Sequence, residues 1–140
     1  MLYGNFRKAK TLRMAKSTRW LIDKHPKEAR RYCNGVGSTA TFLDRLLYHL
    51  IPNGILGVSI VAASQIHDIE YSYPTIFRDK DEADQFKKEA DARFYANMIE
   101  LVYRGPKFLR NFRLDGAKVR YEAVQHFGHG AFEVGKKILK

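Results

Sequence analysis

His67, Asp68, Tyr71 and Asp91 are spaced for acid–base chemistry. On a helix, positions i and i+4 share a face, so His67 and Tyr71 are neighbours, while Asp68 projects about 100° away from the histidine. One helix thus offers an imidazole to one site and a carboxylate to the adjacent one. An imidazole titrates near neutral pH and suits general-base work. A carboxylate suits a hard cation such as Ca²⁺. Asp91 lies in Ala90-Asp91-Ala92-Arg93-Phe94, at the flank of an apolar stripe. From there it can meet His67 across a helix pair and fix the imidazole tautomer through Nδ1, as the third member of a triad does. Asp84 is seven residues earlier, on nearly the same helical face, and is the alternative acid. A third stretch, Cys33-Asn34-Gly35-Val36-Gly37-Ser38, has two glycines one residue apart. Such a loop can turn peptide carbonyls or amides toward a bound ion. Taken singly, each feature also fits a plain structural role: a turn, a satisfied helical histidine, a solvated charge.

The elements that must position these groups are mostly helical. Residues 39–50 place Phe42, Leu43, Leu46, Leu47 and Leu50 at three- and four-residue spacing. Residues 55–71 read as a second helix, with Ile55, Val58, Ala62, Ile66 and Ile69 on one face and small Ala63 and Ser64 allowing close approach. Residues 79–103 carry the clearest pattern: Asp79 or Asp81 caps the start, acids follow, and Ala83, Phe86, Ala90, Phe94, Asn97, Met98 and Leu101 form the stripe. Gly105-Pro106 ends it. Residues 115–127 and a basic segment, 131–139, read as two shorter helices, and no segment alternates at period two. The expectation is a small, mainly α, single-domain fold with two packed core helices.

The order of these motifs resembles the calcium-dependent phospholipase A2 superfamily, above all its cysteine-poor viral and phage-encoded relatives. The matching stretches are Cys33-Asn34-Gly35-Val36-Gly37, Ile51-Pro52-Asn53-Gly54, His67-Asp68-Ile69-Glu70-Tyr71 and Ala90-Asp91-Ala92-Arg93-Phe94. The resemblance covers residues 32–104. It implies that the glycine-rich loop binds metal, with Asp68 and the carbonyls around Cys33, Gly35 and Gly37 as Ca²⁺ ligands. It implies His67 as the base that activates water against the sn-2 ester of a glycerophospholipid, with Asp91 and Tyr71 holding the ring. The Gly35 amide would help stabilise the oxyanion. The chain departs from the secreted members in its cysteines: Cys33 is alone, Ser64 stands three residues before His67, and Val36 occupies the loop's second cysteine position.

Composition bounds the remainder. The chain has 140 residues and a net charge of +10. Residues 1–32 carry net +8, residues 33–103 net −4 and residues 104–140 net +6. This pattern reads as a basic N-terminal arm (1–31), a core (32–104) and a basic C-terminal segment (105–140). Arg104, Lys107, Arg110 and Arg113 interleave with Phe108, Leu109 and Phe112 and are candidate polyanion contacts. The mixture suits an anionic membrane surface or phospholipid layer. It suits nucleic acid as well. That leaves a second reading, a non-catalytic basic assembly protein binding nucleic acid, anionic lipid or the subunits of a virion or other complex. No apolar run reaches the roughly 20 residues that span a bilayer, and no apolar core of a secretory signal is present. The single cysteine excludes an intrachain disulfide framework and favours synthesis in a reducing compartment.

Overall fold

A capped start and a glycine–proline stop define the longest element of the chain. The computed structural model describes residues 6–33, 54–133 and 136–139. In chain order these form a 3₁₀ turn (Ala9–Thr11), α1 (Lys16–Lys24), α2 (Pro26–Cys33), β1 (Gly54–Ile55), β2 (Val58–Ser59), α3 (Val61–Ser72), β3 (Thr75–Phe77), α4 (Lys80–Arg104), α5 (Arg110–Phe127), α6 (His129–Glu133) and β4 (Lys136–Ile138). The fold is mainly helical, and among the described residues no helix is long and apolar enough to cross a membrane.

Helix α4 begins where Asp79 accepts the Glu82 N–H at 2.9 Å. Glu82 reaches back to the Arg78 N–H at 2.8 Å, so two otherwise orphaned donors are satisfied at once. The expected stripe is the buried one: Ala83, Ala90, Phe94, Asn97, Met98 and Leu101 are buried, and Phe86 packs against them partly exposed. This face meets α3, where Ala62, Ala63, Ile66 and Ile69 are buried. Two apolar clusters result. The larger joins α1–α5; the smaller gathers Tyr71, Phe77, Ala83, Ala90 and Phe132.

Four expectations change. Residues 55–71 are not one helix. Leu56 and Gly57 take φ of 46° and 87° and close a two-residue turn between antiparallel β1 and β2, so α3 starts only after it. Residues 131–139 split into α6 and β4, because β4 pairs parallel to β3 in the register Thr75↔Lys136. Its Lys136 Nζ donates to the Glu70 and Tyr73 carbonyls at 2.8 and 2.7 Å, capping the negative end of α3. The N-terminal segment is no detached arm: Phe6, Ala9, Leu12, Leu21 and Ile22 are core residues. Asn97 grips it by accepting the Arg13 N–H at 2.9 Å and donating to the Arg13 carbonyl at 2.8 Å. Helix α5 starts five residues before the expected boundary and runs through Gly116. A Cβ there would stand 2.8 Å from Ile55 Cγ2, so the missing side chain admits the hairpin. The helix read over 39–50 lies outside the described residues.

Candidate active site

Helices α3 and α4 pack so that His67 and Asp91 face each other. His67 Nε2 lies 2.9 Å from Asp91 Oδ1. The Tyr71 hydroxyl donates to the same oxygen at 2.5 Å. The other carboxylate oxygen, Oδ2, accepts from Lys87 Nζ at 2.8 Å. Lys87 also donates to the Val124 carbonyl of α5 at 3.2 Å. All four side chains are buried. The His67 ring is stacked on Phe94 at 4.5 Å between centroids and tilted against Tyr71 at 4.1 Å, which fixes its plane.

The electrostatics assign the protons. Burial alone would push the Asp91 carboxyl up, but hydrogen bonds and charge from His67, with the bonds from Lys87 and Tyr71, outweigh it and hold it below its usual range. Burial first, and then the Asp91 carboxylate, holds the Tyr71 phenol far above its ordinary value, so Tyr71 keeps its proton and donates it to Asp91. An ionised carboxylate only accepts, so Nε2 carries the hydrogen that fills the 2.9 Å contact. Nδ1, on the other side of the ring, makes no hydrogen bond among the described residues. The sequence reading paired the acid with Nδ1; the ring is turned the other way, and Nδ1 is the nitrogen left for chemistry.

Asp68 is partly buried on the neighbouring face of α3. Burial pushes its carboxyl up to about 8. Cys33, at the end of α2 where the glycine-rich loop departs, donates its thiol to the Gln65 carbonyl at 3.6 Å. Burial, helped by the nearby Asp68 carboxylate, holds that thiol well above its ordinary value. The stem of the loop is therefore seated beside Asp68. Of the Ca²⁺ ligands expected from the sequence, Asp68 and Cys33 are described, while Gly35 and Gly37 lie outside the described residues. Among the described residues no three of His, Cys, Asp and Glu cluster.

Asp84 drops out as the alternative acid. It is exposed and pairs with Lys80 at 3.0 Å. Seven residues displace it by about 10 Å along the axis, beyond the helix crossing. Arg113 drops out as a surface contact: it is buried, and its guanidinium donates to the carbonyls of Leu56 at 2.8 Å, Pro106 at 3.4 Å and Phe108. Arg110 lies over the Tyr103 ring at 4.7 Å and donates to the Gly105 carbonyl at 3.2 Å. Arg104 pairs with Glu100 at 3.1 Å and donates to Thr11 at 2.8 Å. Lys107 remains exposed, beside Phe108 at 75% and Phe112 at 66% exposure.

Sequence reasoning missed Lys87 and Gly128. Lys87 had a signal: it sits on the apolar stripe, four residues before Asp91, where a lysine is out of place unless paired. Gly128 had none, because its role is to leave room. A Cβ there would lie 2.7 Å from the Tyr71 hydroxyl and against the Val124 carbonyl oxygen.

No protein-family model matches the chain, and neither curated proteins nor solved structures give a significant match to it.

Proposed function

We propose that this protein is a calcium-dependent, phospholipase A2-like hydrolase of glycerophospholipid esters. The observation that carries the reading is the buried contact of 2.9 Å between His67 Nε2 and Asp91 Oδ1, which leaves Nδ1 as a lone-pair base. In this mechanism Nδ1 takes a proton from a water as the water attacks the ester carbonyl. Asp91 stabilises the imidazolium that forms, and Tyr71 holds the carboxylate in register. The proton on Nδ1 then passes to the leaving alcohol oxygen. Asp68 and the carbonyls of Cys33, Gly35 and Gly37 would hold Ca²⁺, which when bound supplies positive charge for the substrate phosphate and the developing oxyanion. Phe108, Phe112 and Lys107 suit an anionic interface, aromatics entering the headgroup layer and the ammonium staying on phosphate.

The test is release of fatty acid from anionic phospholipid vesicles, with Ca²⁺ and with chelator. Release that needs Ca²⁺ and is abolished in His67→Ala supports the reading; undiminished release in that variant removes His67 from the mechanism. A second reading has support in the charge of +10. On it, the chain is a non-catalytic assembly protein that binds nucleic acid, anionic lipid or neighbouring subunits. It requires salt-sensitive polyanion binding without turnover.

A further inference from the structure

We infer that Lys87 is a positioning residue of this site, setting the orientation of the Asp91 carboxylate and through it the His67 ring. The inference deepens the hydrolase reading and rests on it for its kinetic consequence, though not for its structural one. An aspartate side chain turns easily about its last torsion, which is broad and roughly two-fold, so its two oxygens are interchangeable unless something distinguishes them. Here the distinction is made by Lys87. Its ammonium takes Oδ2 at 2.8 Å, and Oδ1 is left to His67 and Tyr71.

The ammonium is itself held at both ends. Its stem rises from α4 one turn before Asp91, and the tip is anchored on the Val124 carbonyl of α5 at 3.2 Å. Lysine and aspartate side chains are only 6% and 2% exposed, so water cannot stand in for either. Three helices thereby converge on one carboxylate: α3 through His67 and Tyr71, α4 through its own pair, α5 through the Val124 carbonyl. With Lys87 removed, Oδ2 loses its donor in a place that water barely reaches, and the carboxylate has reason to turn. The ring that follows it would aim Nδ1 away from the attacked carbonyl.

The test compares wild type, Lys87→Met, Lys87→Arg, Asp91→Asn and the double variant Lys87→Met/Asp91→Asn. Kinetics are read on anionic phospholipid vesicles with Ca²⁺, folding by thermal melting, and the His67 ring N–H by ¹H–¹⁵N NMR. Lys87→Met should lower kcat about 10–100-fold with KM little changed, as a misaligned reacting group does. Lys87→Arg should recover most of that loss. On the Asp91→Asn background the methionine should cost nothing further, since Lys87 acts only through that acid. Equal losses on both backgrounds, or a lower melting temperature with unchanged kcat, would overturn the inference. If Lys87→Met alone does not fold, Asp91→Asn and the double variant carry the test. If the wild type releases no fatty acid, the hydrolase reading fails, and the ring proton decides the inference alone. It should be protected from exchange in wild type and Lys87→Arg and exchange rapidly in Lys87→Met. A ring proton equally protected in all three would refute it.

Discussion

Replacing Gly128 with alanine should disturb the site from behind. Gly128 has φ −83° and ψ −6°, which alanine adopts freely, so the penalty is space alone. The new methyl would collide with the Val124 carbonyl oxygen and stand 2.7 Å from the Tyr71 hydroxyl. Both neighbours serve Asp91, one directly and one through Lys87. Overpacking of this kind costs about 1–3 kcal/mol. With an unfolding entropy near 2.1 cal/mol/K per residue, a chain of 140 residues has roughly 0.3 kcal/mol/K, and Tm should fall by about 3–10 °C. Moving the Tyr71 hydroxyl off Oδ1 weakens a charge-assisted bond worth about 1.5–3 kcal/mol. If that loss falls on the transition state, fatty-acid release drops roughly 10–100-fold. Melting curves and initial rates measure the two effects separately. Tyr71→Phe supplies the control: alone it lowers Tm, but added to Gly128→Ala it removes one clash and should restore part of the loss. Gly128→Ala with the Tm of the wild type, or strictly additive effects in the double variant, would refute the reasoning.

Two further outcomes concern Asp68 and the exposed aromatic side chains. The Asp68 carboxyl sits at about 8 in the fold against an ordinary value of 3.8, so folding takes up a proton between those values. Stability should therefore fall as pH rises through that window. Asp68→Asn should flatten the slope between pH 5 and 8.5, and Ca²⁺ should raise the Tm of wild type but not of Asp68→Asn at the upper pH; parallel slopes in the two proteins would dissociate Asp68 from both effects. Phe108→Ser with Phe112→Ser should weaken sedimentation with anionic vesicles and change stability by only about 0.5 kcal/mol, since both rings are exposed. Unaltered sedimentation would remove both rings from the proposed lipid contact.

What was legible in the sequence was local. Helix α4 announces itself through its period, the Asp79 cap and the Gly105-Pro106 stop, all within a turn of the residues they govern. The partnership of His67 with Asp91 was legible too, because each flanks an apolar stripe and the stripes must face one another. The choice between Asp91 and Asp84 was not, since both lie on one face and only the level of the crossing separates them. Nor was the ring nitrogen: that Nε2 rather than Nδ1 meets Asp91 follows from how the two helices pack, which no local pattern encodes. The run from Ile55 could be apolar helix or buried strand by period alone, and Leu56-Gly57 settled it with two positive φ values. Strand β4 depends on a partner about sixty residues away, which no local pattern encodes.

The absence of a disulfide partner for Cys33 raises the question of what holds α3 against α4. An arginine fork does part of that work. Arg93 of α4 donates through Nε and Nη2 to Glu70 of α3 at 2.9 and 2.7 Å, and Glu70 is 2% exposed. The pair lies three residues past His67 on one helix and two past Asp91 on the other, so it fixes the crossing next to the site. Removing one member of a buried pair leaves the other charged and unsolvated, at a cost of about 3–5 kcal/mol. Arg93→Met should accordingly lower Tm by roughly 10–17 °C on the same per-residue entropy. A paired Arg93→Met/Glu70→Leu variant should recover most of it, because no charge is then stranded. Activity should not recover in parallel, since apolar contact does not index one helix to the other as two directed hydrogen bonds do. Recovery of both together would mean that packing alone sets the His67–Asp91 distance, and the fork would then be incidental to the site.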